Sequence, residues 1–263
     1  MLTEGQIQQI EILIRKTGQY IQSQAEAVSA QDVHSKDLNS FVSYVDREAE
    51  KQLVTGLNDI QSGCAFLTEE GTVTQDEGQA RWIIDPLDGT TNFLHGLPAY
   101  AVSVALEIDG ALSYGWIYHI SADTMYFAEK RGGAFIDGRP ITVSSSSQLA
   151  DTLIATGFPY TDFTHQDAYM KLLSHLMPRC RGLRRWGSAA IDLAFTAAGH
   201  FQGFYEVGLS PWDVAAGALL VQEAGGRVTD FAGEVDFMGH RQILAAPPMI
   251  HEAMKKEIQL FFK

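Results

Sequence analysis

Cysteine is scarce in this 263-residue chain. Cys64 and Cys180 are the only two, and neither belongs to a CxxC pair. Disulfide frameworks and cysteine-rich zinc sites need several cysteines at characteristic spacings. We therefore expect both cysteines to be free thiols, and we assign them no functional role.

Long apolar runs are also missing. Residues 191–198 form one of the longer apolar stretches, and Asp192 interrupts it. A helix that crosses a bilayer needs about 20 consecutive, largely apolar residues. Residues 1–16 alternate polar and apolar side chains with helical period and lack the basic region and apolar block of a secretory signal. We expect a cytoplasmic protein that neither spans nor binds a membrane.

Positive charge is in short supply. The chain has 19 lysines and arginines against 32 aspartates and glutamates, a net charge of −13. This balance argues against direct binding of nucleic acid, which needs basic side chains to neutralise backbone phosphates. An acidic protein can still bind a small phosphate ester if metal cations lie between its carboxylates and the ligand.

Several catalytic motifs are absent as well. The sequence contains no HExxH zinc motif, no GxSxG nucleophile turn and no GxxxxGK[ST] phosphate loop. These motifs are typical of metalloproteases, acyl hydrolases and nucleotide-dependent phosphoryl transfer. The sequence gives those three classes no support.

Hydrophobic periodicity predicts an N-terminal part at residues 1–145 and a C-terminal part at 146–263. The first begins with helices at residues 3–27 and 44–60, followed by an antiparallel meander with strands at 82–84, 101–108, 112–120, 125–129 and 134–136. Four serines at residues 144–147 indicate the connection between the two parts. The second part alternates strands at 153–156, 203–207, 226–229 and 243–246 with helices at 165–177, 189–198, 214–224 and 248–261, which predicts an α/β layer.

The segment WIIDPLDGTTN, residues 82–92, runs from a buried-type strand into a turn with two carboxylates. Pro86 fixes one dihedral and Gly89 lacks a Cβ, so Asp85 and Asp88 can converge while the amides of Gly89 and Thr90 approach a ligand. Convergent carboxylates repel each other, and a divalent cation relieves the repulsion. Oxygen ligands favour Mg²⁺ over Zn²⁺.

An Asp-Gly pair alone would indicate only a turn, as at residues 109–110 and 137–138. The flanking residues distinguish the pair at 88–89. Neither of the other two pairs is preceded by Asp-Pro and a hydrophobic residue, and neither is followed by Thr-Thr-Asn.

Three blocks together resemble the inositol monophosphatase family, in the family's order and across nearly the whole chain. They are FLTEEG at residues 66–71, WIIDPLDGTTNF at 82–93 and PWDVAAGALLVQEAGG at 211–226. The resemblance implies an α+β fold with layers in the order αβαβα. It also implies Mg²⁺-dependent hydrolysis of a small phosphate monoester such as myo-inositol 1-phosphate.

The resemblance also implies a set of site residues. The metal ligands would be Glu69, Asp85, the main-chain carbonyl of Leu87, Asp88 and Asp213. Asp85 would bridge two Mg²⁺ ions, and a weaker third ion would involve Glu69 and Glu70. The catalytic residues would be Asp46 and Thr90, which orient the attacking water, together with Glu69. The substrate contacts would be Asp88, Gly89, Thr90, Ala189, Glu206 and Asp213.

The residues by themselves leave simpler interpretations open. Asp46 and Asp213 could be acids at helix starts, Ser188 a helix cap, and Glu206 a surface residue. Glu69 and Glu70 could be a solvated acidic pair. A family serine that contacts inositol has no clear counterpart at residues 156–160, which leaves the polyol specificity open.

Related scaffolds hydrolyse fructose 1,6-bisphosphate, 3′-phosphoadenosine 5′-phosphate, NADP and histidinol phosphate, so these esters are alternative substrates. Threonine and asparagine after Thr90 favour the inositol branch. Some bacterial relatives contact transcription machinery, and a binding role is therefore a further alternative. Lithium sensitivity and a homodimer are family expectations.

Overall fold

The structure is a computed structural model that describes residues 1–25, 33–37, 40–74, 78–158 and 162–262. Its helices are α1 (Glu4–Gln24), α2 (Tyr44–Ile60), α3 (Thr90–Leu94), α4 (Gln166–Leu176), α5 (Ala189–Ala197), α6 (Pro211–Glu223) and α7 (Pro248–Ile258). Its strands are β1 (Val33–Asp37), β2 (Ser40–Ser43), β3 (Ala65–Thr68), β4 (Ala80–Asp88), β5 (Ala101–Ile108), β6 (Ala111–His119), β7 (Thr124–Glu129), β8 (Gly133–Ile136), β9 (Arg139–Ile141), β10 (Leu153–Thr156), β11 (Gly182–Arg184), β12 (Gly203–Val207), β13 (Arg227–Thr229) and β14 (Gln242–Ala246).

In the described residues the strands form two large sheets and one antiparallel pair. In the seven-stranded sheet, β3 lies parallel to β4, and β4 to β8 follow as the predicted antiparallel meander. Strand β9, which was not predicted, continues the antiparallel pairing at the edge. The five-stranded sheet has the order β11-β10-β12-β14-β13, with parallel pairing among its first three strands. Among the strands that the structure describes, β1 and β2 pair only with each other.

Helices pack on both faces of each large sheet, because alternate strand side chains point to opposite faces. Trp82 and Ile84 point toward α1 and α2, whereas Ile83 between them points toward α5 and α6. In the second sheet, Phe204 faces α5 and α6, and Tyr205 faces α4 and α7. Because successive strand residues point to opposite faces, each sheet is buried on both sides. The predicted αβαβα order is confirmed.

Local signals explain where several helices begin and end. Thr3 and Gln6 form a capping box that starts α1, and the part of its predicted extent at residues 26–27 lies outside the described residues. Helix α6 begins at Pro211, ahead of the predicted apolar segment, because Ser210 caps it. Helix α7 ends at Ile258, earlier than predicted.

Other expectations can be compared with the fold directly. Cys64 and Cys180 are both free. Across the described ranges, every helix is too short or too polar to cross a membrane. The two large sheets fall on either side of the predicted division at residues 145 and 146, but α5 and α6 share one core with both. The division itself stays a prediction.

A close backbone contact seats α6 on the seven-stranded sheet. Gly115 pairs with Ala105 on one side and Ala128 on the other, so a row of small residues faces the helix. A Cβ added at Gly115 would lie 2.9 Å from the carbonyl oxygen of Ala216 and 3.1 Å from its Cα. The obstructing atoms belong to a helix backbone, which cannot rotate away. The missing side chain at Gly115 therefore sets how closely α6 approaches, and α6 carries Asp213 in its first turn.

We expect Gly115→Ala to destabilise the protein by about 1–3 kcal/mol, the usual cost of an extra methyl group in a packed core. Urea unfolding measures the change. Gly5→Ala is the matched control, because nothing lies within 4 Å of a Cβ at that position. Equal stability of Gly115→Ala and wild type would contradict this account of the helix contact.

Candidate active site

The first two site carboxylates lie at the end of β4, where the strand is irregular. Asp85 pairs with Ser103 and Asp88 with Ala101, so β4 advances three residues while β5 advances two. This extra residue is a β-bulge, and it lets two side chains three positions apart point to the same side. Pro86 fits there because β3 pairs with β4 only as far as Ile84.

The turn after the bulge is tightened by local contacts. The carboxylate of Asp85 accepts a hydrogen bond of 2.9 Å from the Leu87 amide. Gly89 has a φ of 89°, and a Cβ there would lie 2.7 Å from the Ala99 carbonyl oxygen. Only glycine satisfies both conditions. The turn is therefore held in the shape that brings Asp85 and Asp88 together.

The third carboxylate comes from α6. One oxygen from each of Asp85, Asp88 and Asp213 lies within 4.8 Å of the other two. Asp213 is fixed because its carboxylate accepts a hydrogen bond of 2.7 Å from the Ser210 amide, as the second half of a capping box. The sequence left open whether Asp213 is a helix-start residue, and in the structure Asp213 both caps α6 and lies in the cluster.

Charge crowding perturbs all three groups. Burial is the main cause that raises the pKa of Asp85 and Asp213 well above the ordinary value, and neighbouring carboxylates including Glu69 add to it. Burial raises the pKa of Asp88 to about 6, although hydrogen bonds from Ser188 and Ala190 favour its charged form. The cluster thus calls for a proton or a cation, and an oxygen-only donor set fits a hard divalent cation such as Mg²⁺.

Glu69 reaches the same edge of the sheet because β3 and β4 are parallel. Parallel strands end at the same edge, and the Glu69 amide donates to the Ile84 carbonyl at 3.2 Å. Its charge contributes to the raised pKa of Asp85, Asp88 and Asp213. Glu69 therefore belongs with the cluster and is not merely part of a solvated pair.

The predicted pair of Asp46 and Thr90 is also brought together. The Thr90 hydroxyl lies 3.2 Å from Asp46 Oδ1 and 3.0 Å from the Leu87 carbonyl oxygen. Asp46 is only 1% exposed, in the first turn of α2, and Thr90 begins α3 directly after the bulged strand. The hydroxyl thus joins a buried carboxylate to the turn that carries Asp85 and Asp88.

The N-terminus of α5 holds the second site aspartate. Asp88 Oδ2 accepts from the Ser188 hydroxyl at 2.5 Å and from the Ala190 amide at 2.7 Å, and Ala189 also directs its amide toward this carboxylate. Ser188 caps the helix as well, through Ile191. Ser188, which the sequence suggested as a cap, therefore also orients Asp88.

Glu206 lies on β12 and is 5% exposed, so the interpretation of it as a surface residue is wrong. Its carboxylate fits against Gly157, where a Cβ would lie 1.8 Å from Oε1. Burial raises the pKa of Glu206 well above its ordinary value, Arg185 opposes that shift, and the charges of Asp213 and Asp88 reinforce it. The charges of the cluster therefore influence the protonation of Glu206.

The region searched for a counterpart of the inositol-contacting family serine, residues 156–160, is described as far as residue 158. Thr156 is buried and donates to the Tyr205 carbonyl at 2.8 Å, and Phe158 is 42% exposed. Residues 159–160 lie outside the described residues.

Two buried acids near the site were missed by the sequence analysis. Glu50 lies one turn after Asp46 on α2 and is fully buried. The four-residue spacing from Asp46 could have revealed that both acids share one helix face. Asp192 lies in the first turn of α5 and is 1% exposed. Burial raises the pKa of Asp192, with the charges of Glu206 and Asp88 adding to the effect.

Comparison with known proteins agrees with this fold. Residues 2–260 match the model of the inositol monophosphatase family, and the chain belongs to that family. Family membership supports a phosphatase. The family is metal-dependent, and the cluster of Asp85, Asp88 and Asp213 could bind metal.

Individual relatives carry two kinds of name. The chain is 42% identical over 245 residues to an inositol-1-monophosphatase from Mesorhizobium japonicum, covering 93% of this chain and 92% of the relative. It is 39% identical over 250 residues to Nus factor SuhB from Pseudomonas aeruginosa, with 93% and 92% coverage. The crystal structure of extragenic suppressor protein SuhB from Bartonella henselae matches with a TM-score of 0.91 at 38% identity, covering 96% of this chain and 98% of that one.

We expect Asp88→Asn to stabilise the metal-free protein at pH 8, because it removes one charge from a crowded site. The asparagine carbonyl can keep the bonds from Ser188 and Ala190 at the Oδ2 position. The thermal midpoint should rise by about 2–4 °C, which corresponds to roughly 1 kcal/mol for a domain of this size. Added Mg²⁺ should stabilise wild type more than the variant.

The difference should depend on pH. A carboxyl whose folded pKa lies above its unfolded value stabilises the fold at low pH and loses that contribution as pH rises through the folded pKa. With a folded pKa of about 6, Asp88 is mostly protonated at pH 5, so the two proteins should converge there. Asp109→Asn, in an exposed turn with a φ of 52°, is the control and should match wild type. Equal midpoints of wild type and Asp88→Asn at pH 8 would refute the prediction.

Proposed function

We propose that this chain is a Mg²⁺-dependent phosphatase that hydrolyses myo-inositol 1-phosphate or a closely similar phosphate monoester. The observation that carries the proposal is the convergence of Asp85, Asp88 and Asp213 within 4.8 Å, in a member of the inositol monophosphatase family. The adjacent contact between Thr90 and Asp46 supports it.

The residues proposed to hold Mg²⁺ are Glu69, Asp85, the Leu87 carbonyl, Asp88 and Asp213. Their donor atoms are all oxygens, and their crowding makes a bound cation favourable. We propose that these residues would hold two Mg²⁺ ions, with Asp85 as a ligand of both, and that Glu69 and Glu70 would hold a third. When bound, the cations supply positive charge that stabilises the phosphate oxygens and lowers the pKa of water.

Thr90 and Asp46 would orient the attacking water. A water that donates to the Thr90 hydroxyl is aligned because that hydroxyl can donate in turn to Asp46 Oδ1 at 3.2 Å. The buried Asp46 carboxylate is then the acceptor toward which the proton moves, with Glu69 as a second carboxylate of the catalytic set. The water oxygen bonds to phosphorus as the bond between phosphorus and the ester oxygen breaks. The ester oxygen takes up a proton from solvent and leaves as the alcohol, so no phosphoenzyme forms.

Substrate binding would use both main-chain and carboxylate groups. The amides of Gly89 and Thr90 follow the bulge and would contact phosphate oxygens, with Asp213 close by. Asp88, Glu206 and the Ala189 amide would contact substrate hydroxyls. Burial of Glu206 beside Gly157 supports a specific contact for it, because a buried carboxylate is costly unless it has a partner.

Phosphate release tests the proposal. Purified wild type, with Mg²⁺ or with a chelator, is given inositol 1-phosphate, fructose 1,6-bisphosphate, 3′-phosphoadenosine 5′-phosphate, NADP and histidinol phosphate. We expect Mg²⁺-dependent turnover to be highest on inositol 1-phosphate. Loss of a group that supports a metal ligand typically costs 10–100-fold, and Asp88 is itself a proposed ligand, so Asp88→Asn should lose about 100-fold or more. In the same assay, millimolar LiCl at saturating Mg²⁺ should inhibit.

The outcomes separate the parts of the proposal. Faster turnover of another ester would replace the substrate and leave the site assignment standing. Unchanged turnover in Asp88→Asn would refute the site. Unchanged turnover in millimolar LiCl would refute the predicted lithium sensitivity. Absence of turnover on every ester by folded wild type would favour the second candidate function.

The second candidate is a role in binding transcription machinery. It is favoured by one observation, the 39% identity to Nus factor SuhB from Pseudomonas aeruginosa over nearly the whole chain. Retention of transcription proteins on the immobilised chain, in both wild type and Asp88→Asn, would support it. Retention of none would count against it.

We also propose a homodimer, and we keep the cytoplasmic location as a prediction. Leu97, Phe158 and Trp186 are 53%, 42% and 41% exposed, and such large apolar side chains are common in subunit interfaces. Sedimentation of the purified chain distinguishes a dimer from a monomer of 28.9 kDa.

A further inference from the structure

Glu50 on α2 binds the loop that carries Glu69. Its side chain is fully buried. Oε1 accepts hydrogen bonds from the Thr68 hydroxyl at 2.9 Å and from the amide and hydroxyl of Thr72, both at 2.7 Å. Oε2 accepts from the Glu70 amide at 2.7 Å. Both carboxylate oxygens are therefore occupied by donors from residues 68–72.

These donors surround Glu69 in the chain. Thr68 and Glu70 are its immediate neighbours, and the Glu69 amide itself bonds to the Ile84 carbonyl of β4. The backbone at this position is thus held from two sides, by α2 and by the strand that ends in Asp85. A ligand carried on a loop binds metal well only if the loop is ordered before the metal arrives, because the cost of ordering otherwise weakens binding.

Helix α2 also carries Asp46, four residues before Glu50. Residues four apart lie on the same helix face, so one rigid element contacts both Thr90 and the Glu69 loop. Any movement of α2 would displace the two contacts together.

We propose that Glu50 is a positioning residue for the divalent-cation site. It holds the loop at residues 68–72 so that Glu69 is presented to the Asp85, Asp88 and Asp213 cluster, and it ties that loop to the helix that carries Asp46. The role in turnover rests on the function proposed above, whereas the role in cation binding can be measured without substrate.

Glu50→Gln tests the role with little change in shape. Oε1 and Oε2 each accept from a backbone amide, that of Thr72 and that of Glu70. Glutamine has one carbonyl oxygen, so in either orientation its NH₂ group faces a backbone N–H that cannot rotate away. One buried amide therefore loses its acceptor, and the loop loosens.

The measurement is isothermal titration of the metal-free protein with Mg²⁺. Changes to groups that support metal ligands typically cost 10–100-fold in affinity, so the Kd of Glu50→Gln should rise by about tenfold or more. The Mg²⁺ concentration for half-maximal phosphate release should rise in parallel, with kcat largely recovered at saturating Mg²⁺. Glu48→Gln, the same change at an exposed position of α2, should leave both values within about twofold of wild type.

Thermal unfolding shows whether Glu50→Gln is folded at the assay temperature. If it is not, Thr72→Val replaces it, because this variant removes one hydroxyl donor and keeps the Thr72 amide. A hydrogen bond from a hydroxyl to a carboxylate is worth about 1.5 kcal/mol or more, so its Kd should rise by about tenfold.

Three results separate this proposal from the proposed function. Wild type that binds Mg²⁺ but hydrolyses no ester refutes the phosphatase, while the Kd of the variants still decides the role of Glu50. A folded Glu50→Gln, or Thr72→Val in its place, with the wild-type Kd overturns the positioning role even if wild type is an active phosphatase. A lower kcat at saturating Mg²⁺ with an unchanged Kd overturns it as well.

Discussion

Repulsion among buried carboxylates is the constraint on which the rest of this structure depends. Asp85, Asp88 and Asp213 converge within 4.8 Å, and Glu69 adds to the perturbation of all three. In a poorly solvated site such a group cannot be fully charged without a counter-charge. The fold must therefore hold these side chains against their mutual repulsion while leaving their oxygens accessible to a cation.

The supports for the cluster come from different layers of the fold. The bulge in β4 points Asp85 and Asp88 to one side, and the capping box of α6 fixes Asp213. The start of α5 holds Asp88 through Ser188. On the other side, α2 contacts Thr90 through Asp46. The site is assembled where a strand end and several helix starts meet, so its geometry is determined by the packing of the layers.

Short-range patterns made much of this architecture predictable. Helix α2 and strands β5, β10 and β12 have the predicted bounds, because apolar periodicity and the flanking turns act locally. The acids of the cluster were predicted through the three sequence blocks shared with the family. Strand β11 was not predicted, because it is short and obtains its pairing from a distant segment. Glu206 left two interpretations open, since a single acid in a strand does not reveal its burial.

The sequence by itself determined the balance of charge, the positions of most helices and strands, and the acidic residues available for a cation. Only the tertiary structure decided that Glu206 is buried, that Ser188 orients Asp88, and that Glu50 binds the loop around Glu69. Each of these contacts joins residues on separate elements. Their distances depend on how the layers pack, and no spacing along the chain encodes that directly.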